Sequence, residues 1–423
     1  MRQFIWKGIV RDRNRSLLPV IVVTIGVFFL VFFEGFVGGM LSNIIDVTAR
    51  YQSGHLCVTT RAYEENEAQP PLDLALLDVD ILMAELMEEF PHIDWNPRIS
   101  FGGLLDIPDA NGETMAQGPV VATSFDLLSP GTMEAQRLQL ENAIIEGCTI
   151  AHSGEIMVSA DFADKFDVHP GDTVTFFGST MYGSMSFTNL SVAGIVHFGM
   201  SALDKGAIIV DLADARALLD MDNAANEIVG FLPDNDYDDL AAETIKNEFN
   251  SRYAASDDEY APYMLQFADR NSMRTTMNYF GFMSKILITL LILALSIVLW
   301  NAGVLGGIRR YNEFAVRLAM GEEKGHIFGS LITESLFIGL IGSALGTTLG
   351  LAISLYLKNY GIDYSSMMEN MSLMLNPVIR SDIYPKMYYI GFIPGVLSTI
   401  IGTALAGIAV YKRNTAILFK ELG

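Results

Sequence analysis

The chain has 423 residues, 51% of them hydrophobic, and yet carries a formal charge of −22. So acidic a balance argues against nucleic acid as the partner, because nucleic-acid binders present a basic face. The apolar residues concentrate in four long runs, Leu17–Phe33, Ile286–Gly307, Ile327–Leu357 and Met387–Tyr411, with about 240 residues of ordinary soluble composition between the first and the second. Roughly 20 apolar residues cross a bilayer, and backbone in lipid has to satisfy its own hydrogen bonds. The pattern predicts a membrane protein of four transmembrane α-helices in a 1+3 order, with a large extracytoplasmic α+β domain inserted between helices 1 and 2.

In chain order, residues 1–16 mix Phe4, Ile5, Trp6, Ile9 and Val10 with five bases, which suits a cytoplasmic amphipathic segment on the inner leaflet. Transmembrane helix 1 is assigned to 17–41. A cleaved signal peptide is the alternative for this run, but no small-x-small site follows it and Glu34-Gly35-Phe36 comes directly after. Phe28, Phe32 and Phe36 recur at i, i+4 and share one helix face. They are candidate cavity-lining residues for acyl chains, or plain lipid-facing phenylalanines.

The extracytoplasmic domain is assigned to 42–280. Strand-like runs recur at Gly54–Thr60, Ile99–Asp106, Gly118–Thr123, Glu155–Ser159, Thr173–Phe177, Ser186–Phe198, Ala207–Val210 and Glu227–Leu232. Residues 76–90, Asp211–Leu219 and Asp238–Phe249 have helical spacing. Strands and helices without strict alternation indicate α+β, and an inserted β-rich lobe is expected at about 125–222. Transmembrane helix 2 follows at 281–307, a cytoplasmic segment at 308–326, helix 3 at 327–357, an outer loop at 358–386, helix 4 at 387–411 and a tail at 412–423. Gly342, Gly346 and Gly350 form a doubled G-x-x-x-G in helix 3, the spacing that lets another helix approach closely.

Charge orients these segments. Ser42 to Met277 holds 39 acids and 11 bases, a net of −28, whereas the remainder is net +6. The remaining bases cluster before helix 1, between helices 2 and 3 (Arg309, Arg310, Arg317, Lys324) and after helix 4 (Lys412, Arg413, Lys420). The positive-inside rule puts those three segments, and with them both termini, in the cytoplasm. Cys57 and Cys148 then lie outside, where one disulfide or two free thiols are both permitted.

Catalytic motifs are missing. There is no G-x-x-x-x-G-K-[ST], H-E-x-x-H, C-x-x-C or G-x-S-x-G. The six histidines are scattered. Asp234–Asp239 starts like a calcium loop, but Asp239 stands where glycine is needed and Ile245 where glutamate is needed. Intramembrane ionisable residues are few: Glu34 near the outer end of helix 1 and within reach of water, Lys285 at the outer end of helix 2, and Glu334 in helix 3. They do not form the acid–base chain of a proton-coupled carrier.

Trp6–Gly26 (WKGIVRDRNRSLLPVIVVTIG) resembles the N-terminus of ABC transporter permeases of the MacB/FtsX/Lol type. Arg309–Ile327 (RRYNEFAVRLAMGEEKGHI) resembles that family's cytoplasmic loop, with Glu313, Arg317, Met320 and Gly321 on its pattern positions. Tyr411–Leu422 resembles the family's ending but lacks its usual proline. Ile144–Phe177 and Ser191–Leu219 are similar to segments of the lipoprotein-releasing permeases.

The resemblance implies a non-catalytic permease that works as a dimer, paired with an identical copy or a related permease. Each copy engages a separate cytoplasmic ATPase, which binds ATP and magnesium; no cofactor is expected in this chain. Arg310, Glu313, Arg317, Met320 and Gly321 become the residues expected to couple to that ATPase. A lipoprotein or lipid-like cargo, a periplasmic adaptor or chaperone, and a location in the bacterial inner membrane with the large domain periplasmic are also implied. Export of peptides or small amphiphiles through an adaptor, and regulation of a cell-wall hydrolase without transport, stay open beside it. A membrane-anchored receptor or scaffold would not need the Arg309–Ile327 pattern.

Overall fold

The computed structural model describes residues 13–66, 71–109, 112–198, 201–254, 258–270, 272–309, 316–317, 320–363 and 378–411. The N-terminal end of the amphipathic segment, most of the outer loop, the tail, and the coupling candidates Arg310 and Glu313 lie outside the described residues. The chain divides into two compact units. One comprises residues 1–42, 277–363 and 378–423, and the other residues 43–276 and 364–377.

The first unit is a helical bundle. α1 (Arg13–Thr48) carries Pro19 inside it, beyond the first turn. Proline is tolerated there because neighbouring groups in a membrane bundle re-satisfy the freed carbonyl. Four helices are long and apolar enough to span a bilayer, with windows in Leu17–Ser53, Met273–Asn301, Lys324–Tyr360 and Met387–Gly407. The core of the bundle gathers Val23, Val27 and Val31 of α1 with Leu299, Met387 and Ile390.

Among the described residues the second unit has two sheets and no disulfide; Cys57 is buried and Cys148 exposed. The smaller sheet is antiparallel, in the order β11–β1–β10–β2, from Leu56–Thr60 (β1), Asp94–Arg98 (β2), Glu227–Phe231 (β10) and Pro262–Gln266 (β11). β1 and β10 are central and buried at every position, so their apolar runs do not alternate. α2 (Val79–Glu89) packs Val79, Leu82 and Leu86 into this core.

The chain between β2 and β10 builds the larger sheet. It contains β3 (Ser100–Pro108), β4 (Thr114–Phe125), β5 (Ile144–Gly147), β6 (Glu155–Ser159), β7 (Thr173–Ser179), β8 (Met185–Val196) and β9 (Ala207–Asp211). The order is β5–β8–β6–β9–β4–β3–β7, and a further β7–β8 pairing closes six of these strands on themselves. Closure removes the exposed edges that an open sheet would present. Strands β3 and β4 belong to this sheet, so the β-rich lobe begins near Ser100, earlier than the expected 125. The pairing of β7 with β3 draws the first hairpin into the ring.

Helix α3 (Ala160–Phe166) buries Phe162 and Ala163. α4 (Leu212–Leu219) is capped by Asp211, whose carboxylate accepts from Ala213 N–H. α5 (Asp239–Tyr253) is capped in the same way by Asp238. Asp238 therefore serves a helix start, as its place in the acidic run suits. The bundle continues with α6 (Met273–Arg309), α7 (Lys324–Tyr360) and α8 (Phe392–Tyr411). α6 begins eight residues before the expected 281, so helix 2 overruns its apolar stretch.

Candidate functional site

The turn before α7 is the first of three constellations that bear on function. Arg317 Nε pairs with Glu322 at 3.0 Å, and Glu322 also faces His326 at 3.7 Å. Glu322 N–H donates to the Arg317 carbonyl, so both the backbone and the side chains close the turn. Gly321 takes φ +90°, in the left-handed region that other L residues rarely adopt. Met320 beside it is 75% exposed. A charged turn, a left-handed glycine and a bare methionine thus stand immediately before α7, an apolar tip on a fixed base.

The second constellation is the packing of α7. Gly342, Gly346 and Gly350 lie against Val23, Val27 and Val31 of α1 and against the carbonyls of Val20, Thr24 and Phe28. A Cβ at Gly346 would come within 2.6 Å of the Thr24 carbonyl oxygen. Gly391 and Gly395 of the fourth membrane segment face Thr347 and Ser343 of α7 in the same manner. Phe28, Phe32 and Phe36 form a half-buried ladder, with ring centroids 6.2 and 6.4 Å apart and nearly parallel planes. Phe29 and Phe33 are the exposed phenylalanines of this helix, at 58% and 44%. The i, i+4 face is therefore the more sheltered of the two.

The third constellation is polar. Glu34 is only 3% exposed. Its carboxylate accepts from Lys386 Nζ at 2.5 Å and from Ser284 Oγ at 2.7 Å, and the Tyr384 hydroxyl also hydrogen-bonds it. Water does not reach it as its position near the helix end suggests; its solvation comes from side chains. Glu334 and Lys285 have no place in this cluster.

The second unit holds buried charges that sequence reasoning missed. Arg98, 1% exposed, pairs with Glu134 at 3.2 Å, and Glu134 also binds Arg137, which reaches Asp94. Both guanidiniums lie over the Phe231 ring, and Arg98 also lies over Phe125. Burial draws Arg137 down to about 10, and burial pushes the Glu134 carboxyl up against the pull of Arg98. His55 Nδ1 accepts from Leu232 N–H beside this cluster. Burial, with Arg137 nearby, lowers its pKa to about 4, so it is neutral at physiological pH. Arg270 grips Glu227 with both nitrogens, at 2.6 and 3.1 Å. No group of histidine, cysteine and carboxylate residues suited to a metal occurs among the described residues.

An inserted two-lobed domain carried on a 1+3 set of apolar helices defines a multi-pass membrane subunit with an extracytoplasmic domain. Two family profiles match this layout: residues 16–248 match a MacB-like periplasmic core domain, and residues 285–415 match the FtsX-like permease C-terminal domain. The first alone covers more than half of the chain, and the protein belongs to the MacB/FtsX type of ABC transporter permease. Such permeases are the non-catalytic transmembrane subunits of their transporters. Family membership brings with it an ABC ATPase partner, a paired permease and an inner-membrane setting with a periplasmic domain. Among solved structures, the periplasmic region of MacB from Actinobacillus actinomycetemcomitans is similar at 10% identity, over 53% of this chain and 92% of that one, with a TM-score of 0.35. No curated protein matches.

Proposed function

We propose that this permease is the force-transmitting subunit of a mechanotransmission ABC transporter that extracts lipoproteins or lipid-like cargo from the outer leaflet of the inner membrane. A separate cytoplasmic ATPase pair binds ATP and magnesium and closes. The segment Arg310–His326 receives that motion, and α7 passes it on toward the periplasmic domain. The observation that carries this reading is the turn at Arg317–Glu322, braced by ion pairs and hydrogen bonds at the foot of a 37-residue helix. A rigid element is what a lever requires. Both termini are cytoplasmic in this reading, supported by the basic clusters at the inner ends of the helices. Exposed Tyr279, Tyr356, Tyr360, Tyr388 and Tyr389 stand at the other ends of α6, α7 and the fourth segment, as a headgroup-level aromatic belt does. The half-buried phenylalanine ladder supplies an apolar wall suited to acyl chains.

The test is to purify the full chain from membranes together with its native partners. An ABC ATPase should co-purify, and lipid or lipoprotein should be identified in the complex by mass spectrometry. Glu313→Ala and Arg317→Ala should leave the complex assembled but abolish cargo-stimulated ATPase activity and export. Unchanged export in both variants would overturn the coupling assignment. Peptide cargo in place of lipid would favour the amphiphile exporter.

A further inference from the structure

We infer that residues Arg380–Lys386 form a strap that pins the outer end of α1 to the rest of the bundle, so that this end moves as one body with α7 and the fourth membrane segment.

The surface of α1 that receives the strap is made of glycine. A Cβ at Gly35 would lie 2.6 Å from Met387 Cε and 2.8 Å from the hydroxyls of Ser354 and Ser381. One at Gly38 would lie 2.7 Å from the Tyr384 ring, and one at Gly39 would run into the backbone of residues 380–382. The strap thus lies directly on helix backbone, at a range that side chains would prevent.

Directional bonds fix it there. Asp382 N–H donates to the Gly35 carbonyl at 3.0 Å. Lys358 of α7 holds the Asp382 carboxylate at 2.9 Å. Lys386 and Ser284 both bind Glu34, which brings α6 into the same knot. Among the described residues, the hydrogen bonds and ion pairs that α1 makes to the other membrane helices and to the strap fall at Glu34 and Gly35. Lower down, α1 meets α7 through glycine and valine contacts.

Glu34 makes release unfavourable. Without Lys386 its carboxylate is left uncompensated at a site almost closed to water, and an unpaired buried charge is far worse than a paired one. The strap therefore adds directional bonds, at the outer end of α1, to the apolar contacts that α1 makes lower down.

The labelling arm of the test uses the full-length chain in membrane vesicles and needs no partner, so its failure is distinct from failure of the transport reading. The exposed native thiol Cys148 is first replaced by serine. Cysteine is then placed at Ser381, which is 3% exposed, and its labelling by a membrane-impermeant maleimide is followed. Glu34→Gln and Lys386→Gln should each speed labelling by about tenfold or more, as local opening becomes frequent. Lys386→Arg, which keeps the ion pair, should stay within about twofold of the parent rate. In a separate Glu34→Cys, Lys386→Cys variant, oxidative cross-linking should leave ATPase-coupled export intact. Parent-like labelling in both charge-removing variants would overturn the strap. Export blocked by the cross-link and restored by reductant would show that the contact opens during the cycle, and would overturn the one-body motion of this end.

Discussion

The two units of this chain are held together by different physics. In the periplasmic unit, every buried charge named above has an opposite charge bound to it: Arg98 and Arg137 share Glu134, and Arg270 holds Glu227. In the membrane unit, Glu34 is bound by Lys386 and Ser284, but the buried hydroxyls of Thr24, Ser296, Ser343, Thr347 and Ser354 have no hydrogen-bond partner among the described residues, and the helices there meet across glycine. Directional bonds fix the geometry of charged groups, whereas glycine lets helix backbones come into close steric contact. The contrast separates a unit whose buried charges are paired from one whose helices meet chiefly through close backbone packing.

The sharpest way to break the comparison is to remove one charge from the periplasmic cluster. Glu134→Leu leaves two guanidiniums buried against Phe125 and Phe231. Loss of one partner from a buried pair costs roughly 3–5 kcal/mol. The expected outcome is a large fall in the urea midpoint of the periplasmic transition, with part of the loss recovered when Arg98→Met is added. A fall of less than about 1 kcal/mol would mean that water already solvates the cluster.

Acid probes the same region with a somewhat smaller effect. The folded-state pKa of His55 is about 4, below its ordinary value of 6.5. Between those values the unfolded chain binds a proton that the folded chain refuses, so stability is complete above about pH 6.5 and falls as the pH drops toward 4. The full loss is on the order of 3 kcal/mol. Thermal melts of the full-length protein at pH 7 and pH 5 should show the drop, and His55→Gln should flatten it.

In the membrane unit the expected loss is smaller again and steric in origin. Gly346→Val forces a side chain against the Thr24 carbonyl and Val27. Overpacking of this kind costs about 1–3 kcal/mol. Gly325→Ala is the control, because nothing lies within 4 Å of its Cβ position. Melting in detergent should fall for the first substitution and hold or rise slightly for the second.

These sites were unequally legible in the sequence. The bilayer imposes length and apolarity on each spanning helix, and the doubled G-x-x-x-G needs only local spacing, so four spans and the glycine row could be read directly. Strands such as Glu155–Ser159 and Ala207–Asp211 announce themselves through β-branched runs. β2, with the sequence DWNPR, does not, because Pro97 and Asn96 disfavour a strand and only pairing with β10 makes it one. The buried charges were hidden for a related reason. Arg98 and Glu134 are 36 residues apart, and Glu34 and Lys386 are 352 apart. A lone intramembrane acid signals that a partner must exist, but only the fold says which lysine it is.

The smallest expected change in stability belongs to the turn before α7. The side chains of Arg317 and Glu322 are 31% and 23% exposed, and a pair this open to water contributes at most about 1 kcal/mol. Arg317→Gln should therefore barely move the melting temperature. If the turn is where ATPase motion enters, the same substitution should sharply reduce the coupling between ATP hydrolysis and export. The two readouts together separate function from fold: a residue that merely props up α7 would lower both in proportion. Met320→Ser adds an independent check. Its side chain is 75% exposed, so weakened ATPase binding with an unchanged melting temperature on its loss reports a contact made outside this protein.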